Sequence, residues 1–164
     1  MKKINILLTK YSDLTSNLIY HIAGHGYTHA SVALGDSPQE YYSFNYKGFA
    51  IETLEKHKRR GVRRSRCYQV NVSDEAYRRM EEKIKIFKEN KRLYKYSRIA
   101  VLCCVPHLPL KFRNRYFCSQ FVAELLENET EIDIGRKPCF FLPNHFSLLL
   151  EKHPRCAGVI ENAI

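Results

Sequence analysis

The segment from residue 28 to residue 46 reads THASVALGDSPQEYYSFNY, which is typical of two antiparallel β-strands joined by a turn. Both ends alternate in period two, and Gly35 to Pro38 supply the turn. The apolar face of the two strands is formed by Val32, Leu34, Tyr42, Phe44 and Tyr46. The other face collects the polar side chains His29, Ser31, Ser43 and Asn45. This pattern predicts that polar groups from neighbouring strands meet on one surface of a sheet.

Strands and helices are predicted on both sides of this hairpin. Further strands are expected at 4–8, 48–52, 67–72 and 157–161, and helices at 14–22, 94–105, 117–126 and 144–151. A long amphipathic helix follows Ser73, a residue suited to cap it. Neither a repeat nor a linker interrupts the pattern. We therefore expect residues 1–164 to form a single α+β domain, with an antiparallel sheet packed against helices.

Length and composition exclude several classes of protein. The chain has 164 residues, of which 45% are hydrophobic, enough for one core and too many for a disordered chain. Apolar runs stay well below the ~18 residues of a membrane span. The basic start of Met1 to Leu8 is followed by only a short apolar stretch, without a small-residue cleavage pattern. We expect a cytoplasmic protein that begins with a strand.

Cysteine is the first candidate for chemistry. The six cysteines form no CxxC pair, which favours free thiols and excludes a zinc ribbon. Cys118 differs from the others because it lies near the start of a predicted helix and follows a loop that contains Lys111, Arg113 and Arg115. A helix start and nearby positive charge both stabilise a thiolate. The alternative is a core cysteine packed beside Phe117.

A reactive thiolate needs a base, and His29 on the polar face of the hairpin is the first candidate. Ser43 or Asn45 would orient its ring, and Glu52 is a further candidate for that role. His107, on the loop before Cys118, is an alternative base.

A metal site is the rival interpretation of the early histidines. His21, His25 and His29 are spaced by four residues and would align on one helix, but Gly24 and Gly26 interrupt it. We therefore expect neither a metal nor another cofactor.

The histidine strand, the following Tyr42-Ser43-Phe44 and the later segment 116–122 together resemble the circularly permuted NlpC-type papain-like cysteine hydrolases, the YiiX-like group. In that branch the histidine strand precedes the cysteine helix, as it does here. The resemblance covers most of the chain and implies a papain-like fold, with Cys118 as nucleophile and His29 as general base. Its third position is often acidic, whereas Ser43 and Asn45 are neutral.

The resemblance also implies a reaction. A cysteine hydrolase would cleave an amide, such as a peptide or isopeptide bond, through a thioester on Cys118. Related permuted enzymes that resemble lecithin retinol acyltransferase handle lipid esters, so ester hydrolysis and acyl transfer stay open. A binding protein without turnover is the non-enzymatic alternative. The substrate and the oligomeric state are not determined at this point.

A densely basic run from Lys56 to Arg66 holds much of the net charge of +10. We expect a solvated loop that could meet an anionic membrane surface. The residues concerned are Lys56, Lys58, Arg59, Arg60, Arg63, Arg64 and Arg66. Nucleic acid is the alternative anionic partner, but no readout motif accompanies the charge, so no specific nucleic acid is expected.

Overall fold

The computed structural model describes residues 1–12, 17, 19–21, 24–104 and 106–164. The strands are β1 (Lys2–Lys10), β2 (His29–Leu34), β3 (Tyr41–Asn45), β4 (Gly48–Glu52), β5 (Arg64–Val72), β6 (Lys95–Tyr96), β7 (Arg115–Tyr116) and β8 (Cys156–Glu161). The α-helices are α1 (Leu54–Arg59), α2 (Asp74–Glu89), α3 (Arg98–Cys103), α4 (Cys118–Glu129) and α5 (Pro143–Leu150). Short 3₁₀ helices lie at Lys91–Leu93 and Pro138–Phe140.

The main sheet has the strand order β4-β3-β2-β1-β5-β8, and each of its neighbouring pairs is antiparallel. The strands β6 and β7 form a separate parallel pair. Helix α4 packs against β2 and β3, while α2 packs against β1 and α4. The predicted α+β class, with an antiparallel sheet packed against helices, is therefore confirmed.

The central strand β1 is buried on both of its faces, which explains its continuous apolar run. Ile4, Ile6 and Leu8 point into the main core, together with Phe44 and Phe121. Leu7 points to the opposite face. A smaller apolar cluster covers that face, and Leu54 of α1 packs against it. The sheet is thus covered on both sides near the His29 end of β2.

Local sequence signals account for helix α2 and for the hairpin of β2 and β3. The Ser73 hydroxyl accepts a hydrogen bond from the Ala76 amide at 3.1 Å and caps α2, as its sequence predicts. The predicted hairpin is present, with Val32 opposite Tyr42 across β2 and β3. Tyr46 falls beyond β3 and is exposed rather than packed in the core.

Two expectations are altered by the structure, and a third lies largely outside the described residues. The predicted helix 94–105 is limited to α3, because the Ser97 side chain caps a later start and residues 95–96 form β6. The basic run is not a loop: it contributes α1, a turn and the start of β5. The predicted helix 14–22 rests on Leu14, Leu18, Ile19 and Ile22; Ile19 is helical and buried, and the other three lie outside the described residues. Among the described helices, none has the length and apolar character needed to cross a membrane.

Candidate functional site

Cys118 is the first residue of α4, and its position follows from the packing of that helix on the histidine strand. Phe117 precedes it in an extended conformation, so the chain turns into the helix at the cysteine itself. The backbone amides of Ala30 and Ser119 hydrogen-bond the sulfur. The residue is only 2% exposed and lies just beneath the surface of the packed layers. This environment presents N–H groups to a developing thiolate.

His29 is the first residue of β2, directly across the α4 interface from Cys118. Its Nε2 lies 2.8 Å from Oε2 of Glu52. A side-chain hydrogen bond joins the imidazole to the Cys118 thiol. Since Nε2 is engaged by the carboxylate, Nδ1 is the ring nitrogen left to pair with the sulfur. The structure therefore brings the two predicted residues together in the geometry of a nucleophile and its base.

Glu52 is the last residue of β4 and completes this chain of contacts. In the sheet order β4-β3-β2, β3 separates it from the histidine strand, and Glu52 lies opposite Tyr41 in the β3 register. Its side chain is 1% exposed. A buried carboxylate needs charged or hydrogen-bonding partners, and it has His29 on Oε2 and the Arg60 guanidinium 3.6 Å from Oε1.

The pKa shifts of Cys118, His29 and Glu52 each favour the charged form of the side chain. Burial opposes the ionised form of Cys118, but the hydrogen bond and charge of His29 outweigh it and lower the thiol pKa. Burial also opposes the imidazolium, yet the Glu52 carboxylate and the Cys118 hydrogen bond raise the pKa of His29 to about 10. Burial would raise the pKa of Glu52, but the neighbouring His29, His57 and Arg60 lower it to about 2. These shifts favour a thiolate, an imidazolium and a carboxylate in succession.

The other predicted orienting residues have different partners. The Ser43 hydroxyl donates to the Ala30 carbonyl at 2.5 Å and joins β3 to β2. Asn45 ends β3, where its side-chain oxygen accepts the Lys47 amide at 2.9 Å. Among the candidates for the third group, the structure places Glu52 against the imidazole, rather than Ser43 or Asn45.

The remaining histidine alternatives lie elsewhere. His107 is exposed on the loop after α3, with its ring beside Phe140 at a centroid distance of 5.7 Å. His21 and His25 lie edge to face, with centroids 5.5 Å apart. Within the described ranges, no group of three histidine, cysteine or acidic side chains is arranged to hold a metal ion.

The basic segment adds residues that the sequence did not indicate. His57 of α1 is buried next to Glu52, with its Nε2 3.5 Å from Oε2 of the carboxylate. The Tyr11 hydroxyl, from the end of β1, makes a short hydrogen bond with Nδ1 of His57. A buried histidine inside a run of lysines and arginines has no local signature. The Thr53 cap of α1 was the one signal that could have suggested a helix here.

A cavity of about 530 Å³ lies beside the apolar cluster that contains Phe117. It is lined by His21, Cys104, His107, Arg136, Phe140, Leu142 and His145. Two of these, Cys104 and Leu142, share an apolar cluster with Phe117, the residue before Cys118. The cavity thus combines an apolar floor with a guanidinium and imidazoles.

Comparison with known proteins adds no family to this description. No protein-family model matches the chain. A search of curated proteins also finds no significant match.

Proposed function

We propose that this protein is a cysteine hydrolase in which Cys118 is the nucleophile, His29 the general base and acid, and Glu52 the group that orients and charges His29. The observation that carries the proposal is the buried sequence of contacts from the thiol through the imidazole to the carboxylate. Buried ionisable groups cost free energy unless they are paired, and three in a row are typical of catalytic sites.

The reaction follows from the charges. The Cys118 thiolate attacks the carbonyl carbon of an amide or ester, and a tetrahedral oxyanion forms. The oxyanion is stabilised by N–H groups at the start of α4, among them that of Cys118 itself. The His29 imidazolium gives its proton to the leaving amine or alcohol, which departs and leaves a thioester. Water then gives a proton to His29 and attacks the thioester, and the acid is released as the thiol regains the ion pair.

The papain-like assignment is supported by the order of these parts. The sheet carries the histidine, the cysteine helix packs on the same strands, and the histidine strand precedes the cysteine helix in the chain. This is the arrangement expected of the permuted NlpC-type branch. The third residue of that branch is often acidic, and Glu52 would supply this acidic group in place of the neutral Ser43 or Asn45.

The substrate proposed is an acyl compound that carries a negative group. Amides such as peptide or isopeptide bonds are the first choice, and lipid esters use the same chemistry. The cavity beside Phe117 supports an acidic substituent, because Arg136 and the imidazoles His21 and His107 line it over apolar Phe140 and Leu142. A second acceptor in place of water would make the same thioester serve acyl transfer.

We also propose an anionic membrane surface as a partner. Fewer basic residues support it than the sequence predicts, because several of them have partners within the protein. Lys56 donates to the Ile51 carbonyl, Arg66 pairs with Glu151 and Glu161, and Arg64 lies over the Tyr27 ring. Lys58, Arg59 and Arg63 are exposed on this segment. At about 1 kcal/mol for each basic side chain near an anionic surface, these three support a weak membrane encounter.

The experiment is acylation of the full-length protein with a p-nitrophenyl ester, followed by mass spectrometry of its cysteine peptides. We expect the acyl group on Cys118, and no acyl-enzyme in Cys118→Ser or His29→Ala. The half-exposed Cys156 supplies the matched control, Cys156→Ser, which should acylate normally. Burial raises the pKa of Cys67 to about 11 and that of Cys104 to about 12, which disfavours their thiolates. Acylation of another cysteine in preference to Cys118 would contradict the proposal.

A further inference from the structure

A second buried pair lies beside the Glu52 carboxylate and the His29 ring, with ring centroids 6.0 and 6.1 Å from that of His29. It consists of His57 on α1, which is 1% exposed, and Tyr11 after β1, which is 2% exposed. Their rings are stacked, with centroids 6.1 Å apart and an angle of 15° between the planes. The Arg60 guanidinium covers the outer face of this pair, 4.1 Å from the centroid of the Tyr11 ring. The pair is therefore fixed by packing next to Glu52 and His29.

The hydrogen atoms of this pair can be assigned by counting donors. Neutral imidazole has one N–H, and a phenol has one O–H. If Nδ1 of His57 carried the hydrogen, the lone pair of Nε2 would face the Glu52 carboxylate, 3.5 Å away. If Tyr11 instead donates to Nδ1, the hydrogen lies on Nε2 and points at the carboxylate. Only the second arrangement turns an N–H of His57, rather than a lone pair, toward the buried anion, at a distance longer than a hydrogen bond. The tyrosine hydroxyl therefore determines the tautomer.

His57 acts here as a neutral donor. Burial lowers its pKa to about 4; Glu52 opposes the shift, whereas the positive charges of His29, Arg60 and Lys56 add to it. These charged groups come from β2, β4 and α1, and the Tyr11 hydroxyl follows β1. At neutral pH His57 therefore holds the carboxylate without neutralising it. The negative charge of Glu52 stays available to His29.

We propose that His57 and Tyr11 are positioning residues of the Cys118 site: the Tyr11 hydroxyl fixes the His57 tautomer, and the His57 Nε2–H dipole, 3.5 Å from Oε2 of Glu52, favours the ionised carboxylate beside His29. The inference rests on the proposed function, since it assigns the support of the same catalytic group. It also gives the basic segment a structural role. Helix α1 delivers His57 to the inside of the site, while Lys58 and Arg59 on the same helix remain outside.

The test is the rate of alkylation of Cys118 by iodoacetamide as a function of pH, read on the Cys118 peptide in the full chain. This readout needs no substrate. His57→Leu introduces an apolar side chain of similar bulk and removes the Nε2–H group. We expect it to lower the alkylation rate at neutral pH about tenfold, the lower end for loss of a residue that orients a site. Tyr11→Phe removes only one hydroxyl and should act in the same direction with a smaller effect.

Rescue separates positioning from packing. His57→Gln places an amide N–H near the position of Nε2 and should restore most of the rate and the pH profile. The matched control is Lys58→Ala, which changes an exposed residue of the same helix and should leave the profile unchanged. Circular dichroism identifies any variant that fails to fold, and the comparison then rests on Tyr11→Phe.

Two outcomes would overturn the inference. One is a wild-type profile in both His57→Leu and Tyr11→Phe, and the other is a His57→Gln variant as slow as His57→Leu. Failure of the proposed function looks different. In that case the wild-type Cys118 would alkylate no faster than an ordinary thiol, and His29→Ala would not change it.

Discussion

Replacing Glu52 by glutamine removes one negative charge from the site and changes little in shape. The carboxylate oxygen lies 2.8 Å from Nε2 of His29. For charge centres about 4 Å apart and an effective dielectric constant of about 20, the lost attraction is about 4 kcal/mol. The glutamine amide keeps part of the hydrogen bond, so we expect a net loss of about 3 kcal/mol.

That loss should appear first in the titration of His29. Since 1.36 kcal/mol corresponds to one pKa unit, the pKa of His29 should fall by about 2 units in Glu52→Gln. Its value of about 10 in the native site would then move toward neutrality. If the same ~3 kcal/mol of stabilisation is lost from the transition state, turnover of a p-nitrophenyl ester should fall about a hundredfold.

The assay is NMR of the full-length protein with ¹³C-labelled histidine, in which the ring signal of His29 is assigned by its loss in His29→Ala. The matched control is Glu55→Gln, which removes a negative charge from an exposed position on α1. Glu52→Asp retains the charge one methylene further away and should give an intermediate titration. The reasoning is refuted if a folded Glu52→Gln variant shows an unchanged His29 titration, or turns over ester at the rate of Glu55→Gln.

The remaining predictions concern acid stability, the cavity and the exposed basic residues. The pKa of folded His57 is about 4 against 6.5 in the unfolded chain, so the unfolded state binds more protons between these values and stability falls as the pH drops. Urea denaturation should show His57→Gln losing about 2 kcal/mol less than wild type between pH 7 and pH 4.5, with His107→Gln as control; an equal loss would contradict the burial argument. Arg136→Ala should reduce kcat/KM for a succinyl ester about tenfold relative to a butyryl ester, whereas exposed Lys137→Ala should not; equal effects on both esters would argue against an acidic substituent. Lys58→Glu, Arg59→Glu and Arg63→Glu together should abolish sedimentation with phosphatidylserine vesicles at low salt, and binding unchanged by the triple variant or by salt would exclude these residues as the contact.

The parts of the site that the sequence predicted are those with a local signal. His29 lies in a strand with a clear period of two, and Cys118 begins a helix with its own apolar face. Glu52 could only be a further candidate, because its contact with His29 depends on the order of three strands and on the register of β4 against β3. The many charges of the basic run favoured the prediction of a loop, although Thr53 caps helix α1 there. A local pattern identifies an element, whereas the pairing of elements determines which polar groups meet.

His57 illustrates the same limit at the level of a single side chain. Its neighbours are Tyr11 from the end of β1, Glu52 from the end of β4 and Arg60 from its own helix. No spacing in the sequence relates Tyr11 or Glu52 to His57. Yet burial of the carboxylate itself creates the requirement: an ionised Glu52 beside the core needs polar or charged partners from more than one side. Once Glu52 is placed against His29, a second donor behind it is expected on physical grounds, and the buried histidine of α1 is the residue in position to supply it. The support of the site is thus predictable from its central ion pair, although its sequence position is not.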